Sequence, residues 1–483
     1  MLKNTGWQAN SIELRAAFDC RDRCSFTATH RPPGEDEQLY RQVVSVGKWS
    51  HQFEDRYQAR LPGDVRAWLD DELWREPIGA EFCQPLRPEQ LLAPTHDEIW
   101  AGFMRPDTLP LIGNDYGDWL CLRFGVDNTV REVVRWSHAG GDWAPYGDTL
   151  SEALVFDAAL RVCRARRPEF VDPELPTSQL YGAAEWAVQQ GTLAMERFWP
   201  EPFGSEHSGA KDSDGDDAST SDNSAERRLF RQLLDAGVAV VPAACELALL
   251  CLDNPLRSRG APAVARQFET PWLPDFVRWM FDSSHLDEAD RRRIGERWDM
   301  PVDALVQQDW EAAEQYAMEV LEVRGDLAWA ADIAGWSAER RGDWATAADR
   351  YRRGLRASTF TDDSIRFRTQ WYPESFGKFS AYRLQSLASH VAFPADEYLT
   401  TLWQRDEESL RARVADHWLQ EAASCARRAD HVGEYECLLQ AGWDLGLPDL
   451  QSYPDLLRDL ERAAASAGAT ALARIAQTHA NAF

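Results

Sequence analysis

Two carboxylates, Asp115 and Asp118, flank Gly117, and His138 follows two apolar runs later. Carboxylates beside a histidine are the raw material of general acid–base work, where one group moves a proton and another orients it. The competing reading is structural. Aspartate next to glycine is turn chemistry, with the carboxylates bonding nearby backbone and starting a strand at Trp119. The turn reading is the expectation, because the sequence identifies no group that would activate His138, although a histidine titrates near neutrality. Alternation puts Trp136 on the same face as His138, and Trp143 and Tyr146 fall in a loop containing Gly and Pro. Exposed loop aromatics carry much of the energy of protein interfaces. Asp115, Asp118, Trp136, His138, Trp143 and Tyr146 are therefore candidate partner-binding residues, and none is assigned to catalysis. Trp136 reads as core before it reads as interface.

Other chemistry is thinner. Cys20, Cys24 and His30 make half of a zinc set with no second half nearby, so no metal is expected. The nine cysteines form no CxxC pair and read as reduced thiols. No P-loop, GxGxxG, GxSxG or His-Glu metal motif is present, so neither a cofactor nor an enzymatic activity is expected.

Charge narrows the partners. Seventy-nine acids against 52 bases leave a net charge of −27. Such a surface repels phosphate backbones and attracts basic proteins, a basic toxin among them, which excludes nucleic acid as the expected partner. Only Lys3, Lys48, Lys211 and Lys378 are lysines, and the arginine bias reads as GC-rich coding, leaning towards a bacterial source. The longest apolar run, Ala236 to Leu252, is interrupted by Pro242 and Glu246. It is shorter than the roughly 20 residues a membrane span needs, so a buried helix or helical hairpin is expected there. The start of the chain lacks the apolar stretch and cleavage site of a signal peptide, and a cytoplasmic location is expected.

The elements that must position the candidates follow from periodicity. Residues 51–75 are helical, with Pro62 in the first turn of a second helix and Val65, Trp68, Leu69 and Leu73 on its apolar face. Trp119–Phe124 and Val130–Trp136 read as strands joined by the turn Gly125-Val126-Asp127-Asn128. Thr149–Cys163 is a helix capped by Thr149 or Asp148. The expected organisation is a multidomain chain: an unassigned extension over 1–50, an α+β domain over 51–165, a helical extension over 166–205 with an amphipathic helix at 178–199, a disordered acidic linker over 206–226, and an all-α region over 227–483. The linker expectation rests on composition, since the segment has almost nothing to bury.

Asp309-Trp310-Glu311-Ala312-Ala313 and Asp343-Trp344-Ala345-Thr346-Ala347 stand 34 residues apart, and Leu321 and Leu355 keep that offset. With Gly335 and Ala347 as small residues and Tyr351 as the large one, the segment at about 305–360 resembles tetratricopeptide repeats. Gly433-Glu434-Tyr435 is the candidate start of a degenerate third unit. The alternative is a generic bundle of helical hairpins.

Further upstream, Leu61-Pro62 is followed by Val65-Arg66-Ala67-Trp68-Leu69, then by Leu109-Pro110-Leu111-Ile112-Gly113-Asn114-Asp115-Tyr116-Gly117-Asp118-Trp119-Leu120-Cys121-Leu122, Trp136-Ser137-His138 and the helix opening Thr149-Leu150-Ser151-Glu152-Ala153-Leu154. In content and order this stretch, 61–160, resembles the SUKH superfamily, which includes the yeast cell-wall-assembly regulator and bacterial immunity proteins. The longer, proline-rich stretch Gly79–Gly102 departs from that pattern. The resemblance implies a small antiparallel sheet flanked by helices, no catalysis, and protein binding, commonly of toxins neutralised by occlusion. Between Leu61 and Leu160 the count is 18 acids against 7 arginines, a net of −11 that suits a basic toxin. Two other readings stand beside it: a helical-repeat scaffold or adaptor with no toxin partner, and, third, an enzyme in which Asp115, Asp118 and His138 converge.

Overall fold

The computed structural model describes residues 48–76, 78, 81–138, 140–164, 186–187, 218–252, 288–298, 301–302, 308–361, 378–404 and 409–483. Helix α1 (Trp49–Tyr57) buries Phe53 and Tyr57, four residues apart on one face. Helix α2 (Gly63–Asp70) buries Val65, Trp68 and Leu69. Pro62 stands one position earlier than expected, as the extended N-cap of α2, where its missing N–H is equally harmless. Strand β1 (Gln84–Pro85) and the short helix α3 (Pro88–Leu91) occupy the proline-rich stretch.

Strands β2 (Thr108–Gly113), β3 (Trp119–Phe124), β4 (Val130–Trp136) and β5 (Trp143–Gly147) complete a five-stranded antiparallel sheet in chain order. The two expected strands have the expected bounds. Asn128 turns the chain between them at a left-handed φ of 62°. Helix α4 (Leu150–Arg164) buries Leu150, Ala153, Leu154, Phe156 and Leu160. Thr149 caps it, accepting from the Glu152 amide at 3.2 Å. The buried Asp157 carboxylate accepts from the Phe82 amide (3.1 Å) and the Tyr146 hydroxyl (2.9 Å), tying α4 to the sheet region.

The described residues beyond α4 are helical apart from turns and bridges. Helix α5 (Ala218–Asp235) begins inside the segment that composition marks as a linker, while 206–217 lie outside the described residues. Buried Glu226, Phe230 and Leu233 anchor this helix, and extending a nucleated helix backwards costs little. Helix α6 (Val240–Cys251) takes up most of the long apolar run, with Pro242 in its first turn. Helix α7 (Glu288–Trp298) stands between it and the repeat-like segment.

Helices α8 (Trp310–Val323), α9 (Ala328–Arg340) and α10 (Trp344–Gly354) carry that segment. Asp309 and Asp343 cap α8 and α10 identically, each carboxylate accepting from the amide three residues on (3.1 and 3.2 Å). Gly335 of α9 abuts the Tyr351 ring of α10, and Gly354 abuts Ala331. Rising numbers in one helix meet falling numbers in the other, so the pair is antiparallel. Helices α11 (Phe379–Leu387), α12 (Glu397–Trp403), α13 (Leu410–Arg427), α14 (His431–Trp443), α15 (Tyr453–Ser466) and α16 (Thr470–Ala480) follow, with Asp430 capping α14 through the Gly433 amide (3.0 Å).

Residues 48–483 form one compact unit, because the helices close on the sheet. Every residue of β2 is buried, which a sheet with one solvated face would not allow. Arg123 and Glu132, paired across β3 and β4, open a buried ion network. Arg105 grips Asp107 with two hydrogen bonds (3.0 and 2.8 Å), and Arg123 bridges Asp107 (3.0 Å) and Glu132 (2.6 Å). From the helical side, Arg324 reaches Glu132 and Asp326, both at 2.8 Å. Burial alone would raise the Asp107 carboxyl, but Arg105 and Arg123 hold it well below the usual range. The same competition, won by Arg324 and Arg123, leaves Asp326 at about 2.

The free edge of β5 is covered too. The Trp143 amide donates to the Phe360 carbonyl (2.7 Å), and Trp143 bridges Thr361 in parallel. At the β3–β4 turn, Asn128 Oδ1 accepts from the Ala471 amide (2.8 Å), capping α16. His479 of α16 donates from Nε2 to the Thr108 carbonyl at 2.8 Å.

Candidate functional site

The β2–β3 and β4–β5 turns lie at the same end of the antiparallel sheet, and the six sequence candidates all belong to this end or to the strands entering it. Register places Trp119, Trp136 and Trp143 directly across from one another, so their side chains share a face.

The β2–β3 turn is built by a residue not singled out for that role. Asn114 Oδ1 accepts from the amides of Tyr116 (3.0 Å) and Asp118 (2.9 Å), while Gly117 takes a φ of 89° that suits glycine. Asp115 is thereby exposed at the turn and accepts from Gln84 Nε2. Asp118 is buried and fully engaged. Its carboxylate accepts from Arg135 Nη2 (2.9 Å), the His138 amide (3.1 Å) and His138 Nδ1 (2.8 Å). Burial would raise this carboxyl, but the hydrogen bond and charge of Arg135, with the two His138 donors, hold it below its ordinary value.

The structure thus brings Asp118 and His138 together and leaves Asp115 outside the pair. The carboxylate engages Nδ1 of a one-third exposed ring, and Nε2 lies on the ring's far side. This is the orienting half of a general-base arrangement, but among the described residues no hydroxyl or thiol makes a hydrogen bond to Nε2. The pair's evident work is to lock the two turns together.

The aromatic candidates need correcting. Trp136, Trp143 and Tyr146 are all buried, so none offers a surface to a partner. Trp136 packs its ring 5.9 Å from that of Trp100 and points Nε1 at the Phe103 carbonyl (3.4 Å). Trp143 and Tyr146 lie in β5, not in a loop. The guanidinium groups of Arg105 and Arg123 sit over the Trp143 ring at 4.6 and 4.9 Å, and Tyr146 bonds Asp157. Pro145 misled the loop expectation. It is tolerated because β5 is an edge strand whose pairing shifts register beside it.

Other aromatics take their place at the surface. Tyr116 is 73% exposed, Trp100 47% and Phe103 37%. They are three of the four exposed aromatic residues among the described ones, Phe483 being the fourth. Near them, Gly117 sits against the His138 ring, Gly141 against the Phe103 backbone, and Gly102 against Leu450, which is itself exposed. No family model, curated protein or solved structure matches the chain.

The sequence signal for Trp100 and Phe103 was weak, because they fall in or beside the proline-rich stretch with no periodicity. Asp97 and Asp115 are exposed as well. Among the described residues no three His, Cys, Asp or Glu side chains are placed to hold a metal ion, and no helix is long and apolar enough to cross a membrane. Cys20, Cys24 and His30 lie outside the described residues, as does nearly all of 166–205.

Proposed function

We propose that this chain is a non-enzymatic protein-binding protein of the SUKH type, which occludes a basic protein partner, a toxin in the reading adopted here, against the aromatic end of its sheet. The observation that carries the proposal is that Trp100, Phe103 and Tyr116 are each exposed in the sheet region, which also exposes Asp97 and Asp115. Trp and Tyr head the residues that anchor interfaces. The net charge of −11 between Leu61 and Leu160 supplies attraction to a basic partner and speeds encounter.

A scaffold role for the helical half is the second reading. It draws on the matched caps Asp309 and Asp343 and on the Gly335–Tyr351 contact, which fit repeat packing of the tetratricopeptide kind. Affinity capture with the full chain separates the two. Wild type is compared with a Trp100→Ala/Tyr116→Ala variant at low and moderate salt, and bound proteins are identified by mass spectrometry. A stoichiometric basic partner that the variant no longer holds supports the proposal. Partners retained equally by the variant sink it and favour the helices.

A further inference from the structure

Helix α5 carries Arg227, Arg228 and Arg231, whose i, i+3 and i, i+4 spacing gathers three guanidinium groups on one side of the helix. They line a cavity of about 460 Å³ between α5, α6 and α8. This falls within the roughly 300–1,000 Å³ typical of small-molecule sites.

Two of the arginines, Arg227 and Arg231, are held in place without being neutralised. Arg227 Nη2 donates to the Leu250 carbonyl at 2.8 Å. Arg231 donates to the Tyr316 hydroxyl, and its guanidinium lies 4.8 Å over the Tyr316 ring. Both acceptors are uncharged. Among the described residues none of the three arginines makes an ion pair, whereas Arg66, Arg105, Arg123, Arg135, Arg324, Arg341, Arg350 and Arg383 all do. In a chain of net charge −27 such a cluster stands out. One carboxylate, Asp309, also lines the cavity, and it is committed to the α8 amide of Ala312. Three positive charges against one negative leave the cavity positive. Leu247 and Ala312 give it an apolar floor, while the three arginines are exposed at its mouth.

We infer that this cavity binds a small phosphorylated molecule, its phosphate held by the guanidinium groups and its body laid on Leu247 and Ala312. The planar, multiply donating guanidinium matches phosphate oxygens in pairs, which is why arginine rather than a point charge suits this anion. Two of the three forks are already fixed, so little ordering remains to be done on binding. The site belongs to the helices alone and stands whether or not the aromatic end binds a protein.

Isothermal titration of the full chain tests it, with inorganic pyrophosphate, AMP and adenosine as probes. Arg228→Gln is the informative variant. Arg228 is exposed and makes no hydrogen bond or ion pair among the described residues, so its loss leaves the fold alone. Saturable binding of pyrophosphate and AMP is expected, weakened about tenfold by Arg228→Gln, as for loss of a charged hydrogen-bond donor. An Arg227→Gln/Arg231→Gln variant, with helicity checked by circular dichroism, is expected to lose more. Adenosine binding as tightly as AMP would overturn the phosphate assignment. Absence of pyrophosphate and AMP binding at millimolar concentration, or binding indifferent to Arg228→Gln, would overturn the site.

Discussion

Gly335→Ala sets two well-measured effects against each other. In an isolated helix the change is favourable by about 1 kcal/mol, since alanine has the better propensity. In α9 the new methyl carbon would lie 2.4, 2.6 and 2.8 Å from three atoms of the Tyr351 ring. Carbon atoms in contact prefer about 3.5–4.0 Å, so something must move by about 1 Å. Tyr351 cannot give way. Its ring is wholly buried, meets Phe379 edge-on at 6.2 Å, and donates its hydroxyl to Glu339 at 3.1 Å. Helix α10 is held on both sides, since a methyl group placed at Gly354 would meet Ala331 of α9 at 2.4 Å and Ser380 of α11 at 3.2 Å. Overpacking of this kind costs about 1–3 kcal/mol, and three overlapping atoms place it at the upper end. The net expectation is a loss of about 1–2 kcal/mol, a sign opposite to the propensity. Gly63→Ala is the control, since nothing lies within 4 Å of a methyl group there. Urea unfolding followed by circular dichroism and tryptophan fluorescence measures both, compared at a common slope. A Gly335→Ala midpoint at or above the wild-type value would refute the claim that close approach of α9 and α10 selects glycine.

Burial, helped at His96 by the charge of Arg56, holds His96 and His479 at about 4, below the ordinary 6.5. The unfolded chain therefore takes up protons between pH 6.5 and 4 that the folded chain refuses. Stability falls as pH drops through that window, by roughly 2–3 kcal/mol per ring, and a His96→Gln/His479→Gln variant unfolds with a flatter pH dependence. Asp332 has the opposite sign. Burial raises it to about 7 despite the Ser380 hydrogen bond and the Lys378 charge, so its folded form costs stability as pH rises from about 4 to 7. Asp332→Asn gains on the wild type in urea midpoint between pH 5 and pH 8. A fragment spanning 48–164 strips the helices from Trp143, Cys121 and the Arg123–Glu132 pair; gel filtration with a hydrophobic dye finds it aggregated or dye-bright, where an independent domain would elute as a monomer and stay dark.

Local pattern was enough for β3, β4 and α4, since alternation and helical spacing are properties of neighbouring residues. The caps at Asp309 and Asp343 went unread, although each aspartate directly precedes its helix. The site was half legible. Turn chemistry around Gly117 was foreseen, but the bond-making residue is Asn114, and only the fold brings His138 to Asp118. Trp143 was misplaced because its burial comes from Phe360 and Thr361, far away in sequence. Arg105, Asp107 and Glu132 carry no local signal of their pairing, which Arg324 and Asp326 complete from the helical half. The start of α5 was hidden for a related reason: polar residues join a helix whose anchors lie further on.

The surface left for a partner follows from what the helices take away. An ordinary small antiparallel sheet keeps one face, two edges and two ends open to solvent. Here β2 is buried throughout, and the network of three arginines and three acids is closed only when Arg324 docks. Buried charges left unpaired are far costlier than buried pairs, so the network commits the helices to this position. The β5 edge is taken by Phe360 and Thr361, and the β3–β4 turn by the cap of α16. Among the described residues the end where Asp118 pins His138 keeps exposed side chains, Tyr116 in the β2–β3 turn among them. Asp118, held by Arg135 and His138, ties the β2–β3 and β4–β5 turns to each other at that end, which is where we propose a basic protein partner docks.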